Sequence, residues 1–444
     1  MYIDLTRKDL AINGGEPIRK NPWSENLIYG DEEKKAALKS IETGLLSLFE
    51  ASHSPLEPFS FWGGPFVQRL EKDWCDYYKV KYSISVNSAT SGLYAAIGAL
   101  DIGYGDEVIT SPYTMTACAT AALVYGAIPI FADVQLETGC IDPDSVESLV
   151  TERTKAILVV HQFGIPADMD QIMEIAKKYN LKVIEDCAQA HGAKYKGQFV
   201  GTFGDIGVFS LNVNKTIQTG EGGVCVTNDD GLRYRLALIR NHGEAVVEAA
   251  GYGNISNIVG FNYRLTEIQA AIAIEQLKKL DDLNKIRIEY VNYLSDKLSK
   301  YGCFKPMTMC YNKTYNKCDC VEGSDCLPTY YVFCLRFFKE MAGISREEFL
   351  NALKAEGIPI FFAGYTRPLY LLPLYQQKIC FKNGYPFSAK ENQNVKTNYY
   401  LGACPNAEKL FYEEFIGCEH IRFPHTSGDM DDIAKAINKL IHGE

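Results

Sequence analysis

Short, almost continuous apolar runs alternate with helical patterns between residues 80 and 230. YSISV (82–86), EVIT (107–110), AIPIFADV (127–134), AILVV (156–160), KVIED (182–186), GVFSL (207–211) and GVCVT (223–227) predict strands. LYAAIGAL after the first run, and ADMDQIMEIAKKY (167–179) before KVIED, have helical spacing. Continuous apolar strands separated by amphipathic helices predict an α/β layered domain with a mostly parallel, buried sheet. GVFSL and GVCVT leave little room for a helix between them. Beyond residue 229 the pattern changes. TEIQAAIAIEQLKKLDDLNKIRIEYVNYLSDKL (266–298) predicts one long helix with apolar residues at three- and four-residue steps. A Cys-rich segment (302–327), a strand-like YYVFCLRF (330–337), a helix near 346–356 and a final helix MDDIAKAINKLI (430–441) follow. We divide the chain into an extended N-terminal arm (1–30), a large α/β domain (31–265) and a connecting helix with a smaller α+β domain (266–444).

Composition narrows the classes. With 47% hydrophobic and 23% charged residues among 444, the chain reads as an ordinary soluble protein. A formal net charge of -10 argues against nucleic-acid binding, which needs clustered Lys and Arg. Lys278-Lys279 sits among acidic neighbours on a predicted helix. No apolar run reaches membrane-span length, and MYIDLTRKDLAINGG lacks the apolar core of a secretory signal, so a cytoplasmic location is expected. Fourteen cysteines in such a chain do not indicate a disulfide framework. Cys310, Cys318, Cys320 and Cys326 lack the C-x-x-C pairs of strong zinc sites, and no metal is expected.

Ligands of open α/β sheets sit beyond the carboxyl ends of the strands. YSISV runs into Asn87-Ser88-Ala89-Thr90-Ser91-Gly92, a small, hydroxylated turn that opens a helix. Such a turn is either an anion cradle or an ordinary N-cap. KVIED ends on Glu185-Asp186, whose carboxylates need partners at a buried strand end. GVFSL delivers Ser210, with Lys215 five residues on. An amine, a strand-end acid and a phosphate cradle are the parts that a pyridoxal phosphate enzyme needs. A dinucleotide-binding protein is poorly supported, since G-x-G-x-x-G is missing after the first strand.

NSATSGLYAAIGAL, GYGDEVITSPYT, YGAIPIFADV, VIEDCAQAHGA, GDIGVFSLNVNKTIQTGEGG and GFNYRLTEIQAAIAIEQL, in this order, closely resemble the DegT/StrS-type sugar aminotransferases. The resemblance runs from about residue 10 to the C-terminus. It implies the fold type I architecture of pyridoxal phosphate enzymes, with a seven-stranded large sheet, and activity on nucleotide-linked keto sugars or keto cyclitols. Lys215 then matches the lysine that carries the cofactor, Asp186 the partner of the pyridine nitrogen, and Gln189 a residue near the 3-hydroxyl. Ala89, Thr90 and Ser210 match the phosphate cradle. Asn262 matches a residue that reaches the phosphate from a second subunit, implying a homodimer. His191 is placed towards the substrate. Lysine rather than histidine at 215 favours transamination over sugar dehydration, with glutamate or glutamine as donor. Two departures stand out. Met115 occupies the position of the usual stacking aromatic, and GYTRPLY (364–370) replaces histidine-bearing loops, making Tyr365 and Arg367 substrate candidates. A cyclitol aminotransferase, a dehydratase and a non-catalytic binding homologue are the alternatives.

Overall fold

The computed structural model describes residues 2–25, 28–50, 57–243, 251–309 and 326–443. Seven strands form the large sheet: β1 (Tyr82–Val86), β2 (Glu107–Thr110), β3 (Ile128–Phe131), β4 (Thr154–Val160), β5 (Lys182–Asp186), β6 (Ile206–Ser210) and β7 (Gly223–Thr227). Their order is β1-β7-β6-β5-β4-β2-β3, parallel from β3 to β6. β7 runs antiparallel to both β6 and β1. The chain explains this reversal. Residues 211–222 link β6 to β7 without the helix that usually carries a crossover to a parallel neighbour, and the chain turns straight back. Every residue of β2, β3, β6 and β7 is buried, as expected for a sheet covered on both faces.

β3 is an edge strand, and its open side is covered. The Asn398 side chain accepts from Phe131 N (3.3 Å) and donates to Phe131 O (2.6 Å), while Tyr399 Oη donates to Pro129 O (2.5 Å). A loop carried by the second domain thereby satisfies backbone groups that would otherwise template further pairing.

The pattern at 266–298 forms two helices, not one. α2 (Glu267–Lys278) begins at a Thr266–Gln269 capping box, and α3 (Leu280–Leu298) follows a break at Lys279. There the backbone tightens, with Lys279 N donating to Gln276 O three residues back (3.1 Å). The Lys279 ammonium is held by Glu33 (2.7 Å) and Glu32 (3.5 Å) near the start of the chain. Four antiparallel strands form the smaller sheet, in the order β8 (Phe304–Pro306), β9 (Phe333–Phe337), β11 (Phe415–Cys418), β10 (Phe362–Ala363). α4 (Ser427–His442) closes the chain.

Within the N-terminal arm, residues 10–18 are strapped to the segments around Glu356 and Lys439. Glu356, fully buried, accepts from Ala11 N (2.8 Å), Ile18 N (3.2 Å) and Lys439 Nζ (2.9 Å), and Leu10 is fully buried. Cys310, Cys318 and Cys320 lie outside the described residues. Cys326 is buried, and its sulfur accepts from Lys196 N (3.1 Å). Among the described residues no helix is long and apolar enough to cross a membrane.

Candidate active site

The carboxyl ends of the parallel strands converge with the start of α1 (Ala89–Ala99), the helix that follows β1. Ser88 caps α1 by accepting from Ser91 N (3.1 Å). The N–H groups of Ala89 and Thr90, in the first turn, find no acceptor among the described residues. Close approach of this helix to the sheet depends on Gly223. A Cβ there would lie 2.8 Å from Ala89 N and 2.9 Å from Phe209 O. Ser210, buried at the end of β6, accepts from Asn212 N (3.2 Å). Two free amides at a helix start beside a buried hydroxyl suit a phosphate.

Strand alternation separates the two acids at the end of β5. Glu185 faces structure. Its carboxylate accepts from Gly201 N (2.6 Å), Phe203 N (2.8 Å) and Gly204 N (2.7 Å), and pairs with His161 Nε2 (2.9 Å). His161 Nδ1 accepts from Ala167 N (3.1 Å), so Nε2 carries the proton. His161, Glu185 and Cys187 are close enough to suggest a metal centre, but the ligand atoms of the first two are committed to this brace. Asp186 points into the site. It is buried, accepts from Ala188 N (2.9 Å) and from the Cys118 thiol (3.1 Å), and has no cationic partner within bonding distance among the described residues. Burial pushes the Cys118 thiol well up, keeping it a donor.

Lys215 stands on the turn between β6 and β7. Val213 N donates to Gly220 O (2.9 Å) and Thr219 N to Leu211 O (2.9 Å), closing that turn as a hairpin. The Lys215 amine lies 4.5 Å from the centroid of the Tyr331 ring. Desolvation lowers its pKa, opposed by the carboxylates of Asp186 and Glu419. Its neighbours are clamped. Arg287 Nη1 donates to Thr216 Oγ1 (2.6 Å), and Arg422 Nη1 to Asn214 O (3.2 Å). Gln189 accepts from Phe163 N (2.7 Å) and donates to Tyr365 Oη (3.1 Å), joining a β5-end residue to the second domain.

The remaining predicted residues fall less centrally. His191 is 1% exposed, packed against Trp74 and Phe209, and burial pushes its pKa down to about 3. With the ring enclosed, no face is left for a substrate, and its placement towards the substrate is corrected to a core position beneath the lysine turn. Met115 is 54% exposed on the loop after β2. Thr90 and Asn262 are exposed, and Asn262 O accepts from Asn87 Nδ2 (3.2 Å). Arg367 is exposed, with no hydrogen bond or ion pair among the described residues. Sequence reasoning missed Cys118, Tyr331, Arg287, Glu419 and Arg422. Their residue types carried no local motif, and only the fold brings them to Lys215 and Asp186.

A desolvated lysine, a buried strand-end acid and free amides at a helix start, on this sheet order, define a fold type I pyridoxal phosphate enzyme. Its donors and acceptors fit the group. Asp186 can pair the pyridine nitrogen, Ala89, Thr90 and Ser210 the phosphate, and Lys215 the aldehyde carbon. Comparison with known proteins narrows the class. The profile of the DegT/DnrJ/EryC1/StrS aminotransferase family matches residues 56–397, and the chain belongs to that family, a pyridoxal phosphate-dependent aminotransferase. It is 38% identical to the GDP-perosamine synthase of Escherichia coli O157:H7, over 69% of this chain and 79% of that protein. It is 30% identical to an L-glutamine:2-deoxy-scyllo-inosose aminotransferase of Streptoalloteichus tenebrarius, over 98% of each. A solved aminotransferase of Psychrobacter cryohalolentis superposes with a TM-score of 0.77 at 28% identity, covering 95% of this chain and 98% of that one.

Proposed function

We propose that this aminotransferase moves an amino group from glutamine or glutamate to the keto group of a nucleotide-linked sugar. The setting would be the cytoplasmic steps of cell-surface polysaccharide or secondary-metabolite biosynthesis. The observation that carries the reading is the juxtaposition of a desolvated Lys215, on the turn that follows β6, with the buried Asp186 at the end of the adjacent parallel strand β5. Bound pyridoxal phosphate supplies an electron sink for the α-carbon of the donor. The chain supplies the rest. The Lys215 amine, whose pKa desolvation lowers, would take the proton from the donor's α-carbon as base and give it back as acid. Asp186 would hold the pyridine nitrogen in its protonated form, with Cys118 fixing the carboxylate's direction. Gln189 would meet the bound group at its 3-hydroxyl, and Tyr331 covers the amine. We further propose a homodimer in which the exposed Asn262 completes the partner's phosphate cradle.

A keto cyclitol is the second reading for the acceptor. The near end-to-end match to a scyllo-inosose aminotransferase supports it, whereas the relative named for a nucleotide sugar covers less of the chain. The amino form of the enzyme, prepared with glutamine, decides between them. It should regain its aldehyde-form absorbance on addition of a nucleotide-linked keto sugar and not of a keto cyclitol. Recovery with the cyclitol alone refutes the nucleotide-sugar acceptor.

A further inference from the structure

Residues 216–219, the inner half of the lysine turn, are buried, so their backbone groups must find partners inside the protein. The N–H of Gln218, three residues after Lys215, donates to Gln276 Oε1 (3.2 Å). Gln276 stands on α2 and is fully buried. Its Nε2 donates to Glu33 Oε1 (2.8 Å) and Ile28 O (3.4 Å). A carbonyl and a carboxylate only accept, so Nε2 must face residues 28 and 33 and Oε1 the lysine turn. The Gln218 side chain completes the contact. Its Oε1 accepts from Gly220 N (3.2 Å) and from the Tyr29 hydroxyl.

The far end is closed as well. Glu33 is 3% exposed, accepts from Gly30 N (2.7 Å) and pairs with the Lys279 ammonium (2.7 Å). Burial pushes its pKa up, but Lys279, the Gly30 N–H and Gln276 outweigh that push and hold the carboxyl below its ordinary range. The break between α2 and α3 thus puts Lys279 on Glu33, and Glu33 in turn orients Gln276. A polar relay runs from Lys279 through Glu33 and Gln276 to Gln218, with Tyr29 beside its last member. Apolar side chains could fill the same space without the cost of burying amides. A fully bonded buried network instead selects one arrangement of its members over near alternatives.

We propose that Gln276 and Tyr29 are positioning residues for transamination. Through Gln218 they register the lysine turn against residues 28–33, and so set the place and direction of the Lys215 amine. A misplacement of about 1 Å can cost about a hundredfold in rate, so an amine that moves a proton needs such a register. The start of the chain thereby serves the reaction without contributing a group to it. The assignment rests on Lys215 carrying the cofactor, and the test separates the two.

Gln276→Leu, Gln276→Glu and Tyr29→Phe are loaded with pyridoxal phosphate and compared with wild type. L-Glutamine or L-glutamate is added, and the bleaching of the visible band gives a saturating rate and a half-saturating concentration. In Gln276→Leu the rate should fall about tenfold or more, with the half-saturating concentration within about twofold of wild type. The pH midpoint of the band before donor is added should rise by about half a unit, because a released turn admits water to the amine. Tyr29 is 41% exposed, so Tyr29→Phe loses little but the hydroxyl and should slow the rate about threefold. Gln276→Glu sets two carboxylates together at neutral pH, whereas its protonated form restores the donor to Glu33. Its rate relative to wild type should therefore recover as pH falls. Melts of the cofactor-free proteins run alongside. Lower melting temperatures with a wild-type rate and midpoint overturn the proposal, leaving the relay a purely structural brace. A higher half-saturating concentration at an unchanged rate overturns it too. Should Gln276→Leu not fold, wild-type behaviour of Tyr29→Phe and Gln276→Glu is the overturning result. If wild type shows no band that either donor bleaches, the aminotransferase reading itself fails and the positioning role falls with it.

Discussion

Substituting alanine at Gly223 should damage cofactor binding more than anything its small size suggests. The added methyl would sit 2.8 Å from both Ala89 N and Ser88 C, and 2.9 Å from Phe209 O. All three are backbone atoms, so no rotamer change relieves them. The start of α1 would have to retreat from 2.8 Å to about 3.4 Å, where ordinary contact begins. Overpacking of this kind costs ~1–3 kcal/mol of stability. The retreat also carries away the two free amides of the proposed phosphate cradle. A charge-assisted hydrogen bond contributes ~1.5–3 kcal/mol, so weakening one reduces affinity for pyridoxal phosphate by about tenfold or more. The assay is a titration of cofactor-free protein with pyridoxal phosphate, read at the visible band, beside a thermal melt without cofactor. Gly253→Ala, where an added Cβ meets nothing within 4 Å, is the neutral control. If Gly223→Ala melts lower yet binds pyridoxal phosphate as wild type does, the helix start is not the cradle. If neither quantity moves, the close approach itself is wrong.

Cys118→Ala should leave the fold intact, cost ~0.5–1.5 kcal/mol for the lost bond to Asp186, and slow the donor half-reaction. Cys118→Ser should restore most of the rate, and equal rates in all three proteins would remove Cys118 from the account. Lys215 has a folded-state pKa below its unfolded value, so the native state binds fewer protons and stability rises with pH up to the ordinary lysine range. Lys215→Met should therefore raise the melting temperature of cofactor-free protein at neutral pH, with the gap closing towards strongly alkaline pH. A gap that is constant with pH would contradict a desolvated amine. His191 is depressed to about 3, so it contributes a loss of stability as pH falls from about 6.5 towards 3. Melts of His191→Leu against pH should show a shallower acid limb than wild type, and an unchanged limb would refute its burial as a neutral ring.

Much of the frame was legible because it depends on local pattern. The seven apolar runs became the seven strands of the large sheet, and the short link between the last two, without a crossover helix, forms the antiparallel turn that carries Lys215. Other features depend on what the chain meets after folding. The apolar spacing of 266–298 does not encode the break at Lys279, which is fixed by bonds to Glu32 and Glu33 more than two hundred residues earlier. Glu185 and Asp186 are adjacent acids, and only strand alternation sends one to a structural brace and the other to the site. The resemblance places His191 of CAQAHGA towards the substrate, yet Trp74 and Phe209 pack against its buried ring. Arg287 carried no local motif on its helix. It is buried and donates to Thr216 in the lysine turn.

The central claim is that Lys215 holds pyridoxal phosphate for transamination. Purified protein should be yellow, and borohydride reduction followed by peptide mapping should place the cofactor's mass on Lys215 alone. Glutamine or glutamate added before reduction should bleach the band and protect Lys215 from labelling. A colourless protein that takes up no pyridoxal phosphate, or a label on any other lysine, would contradict it.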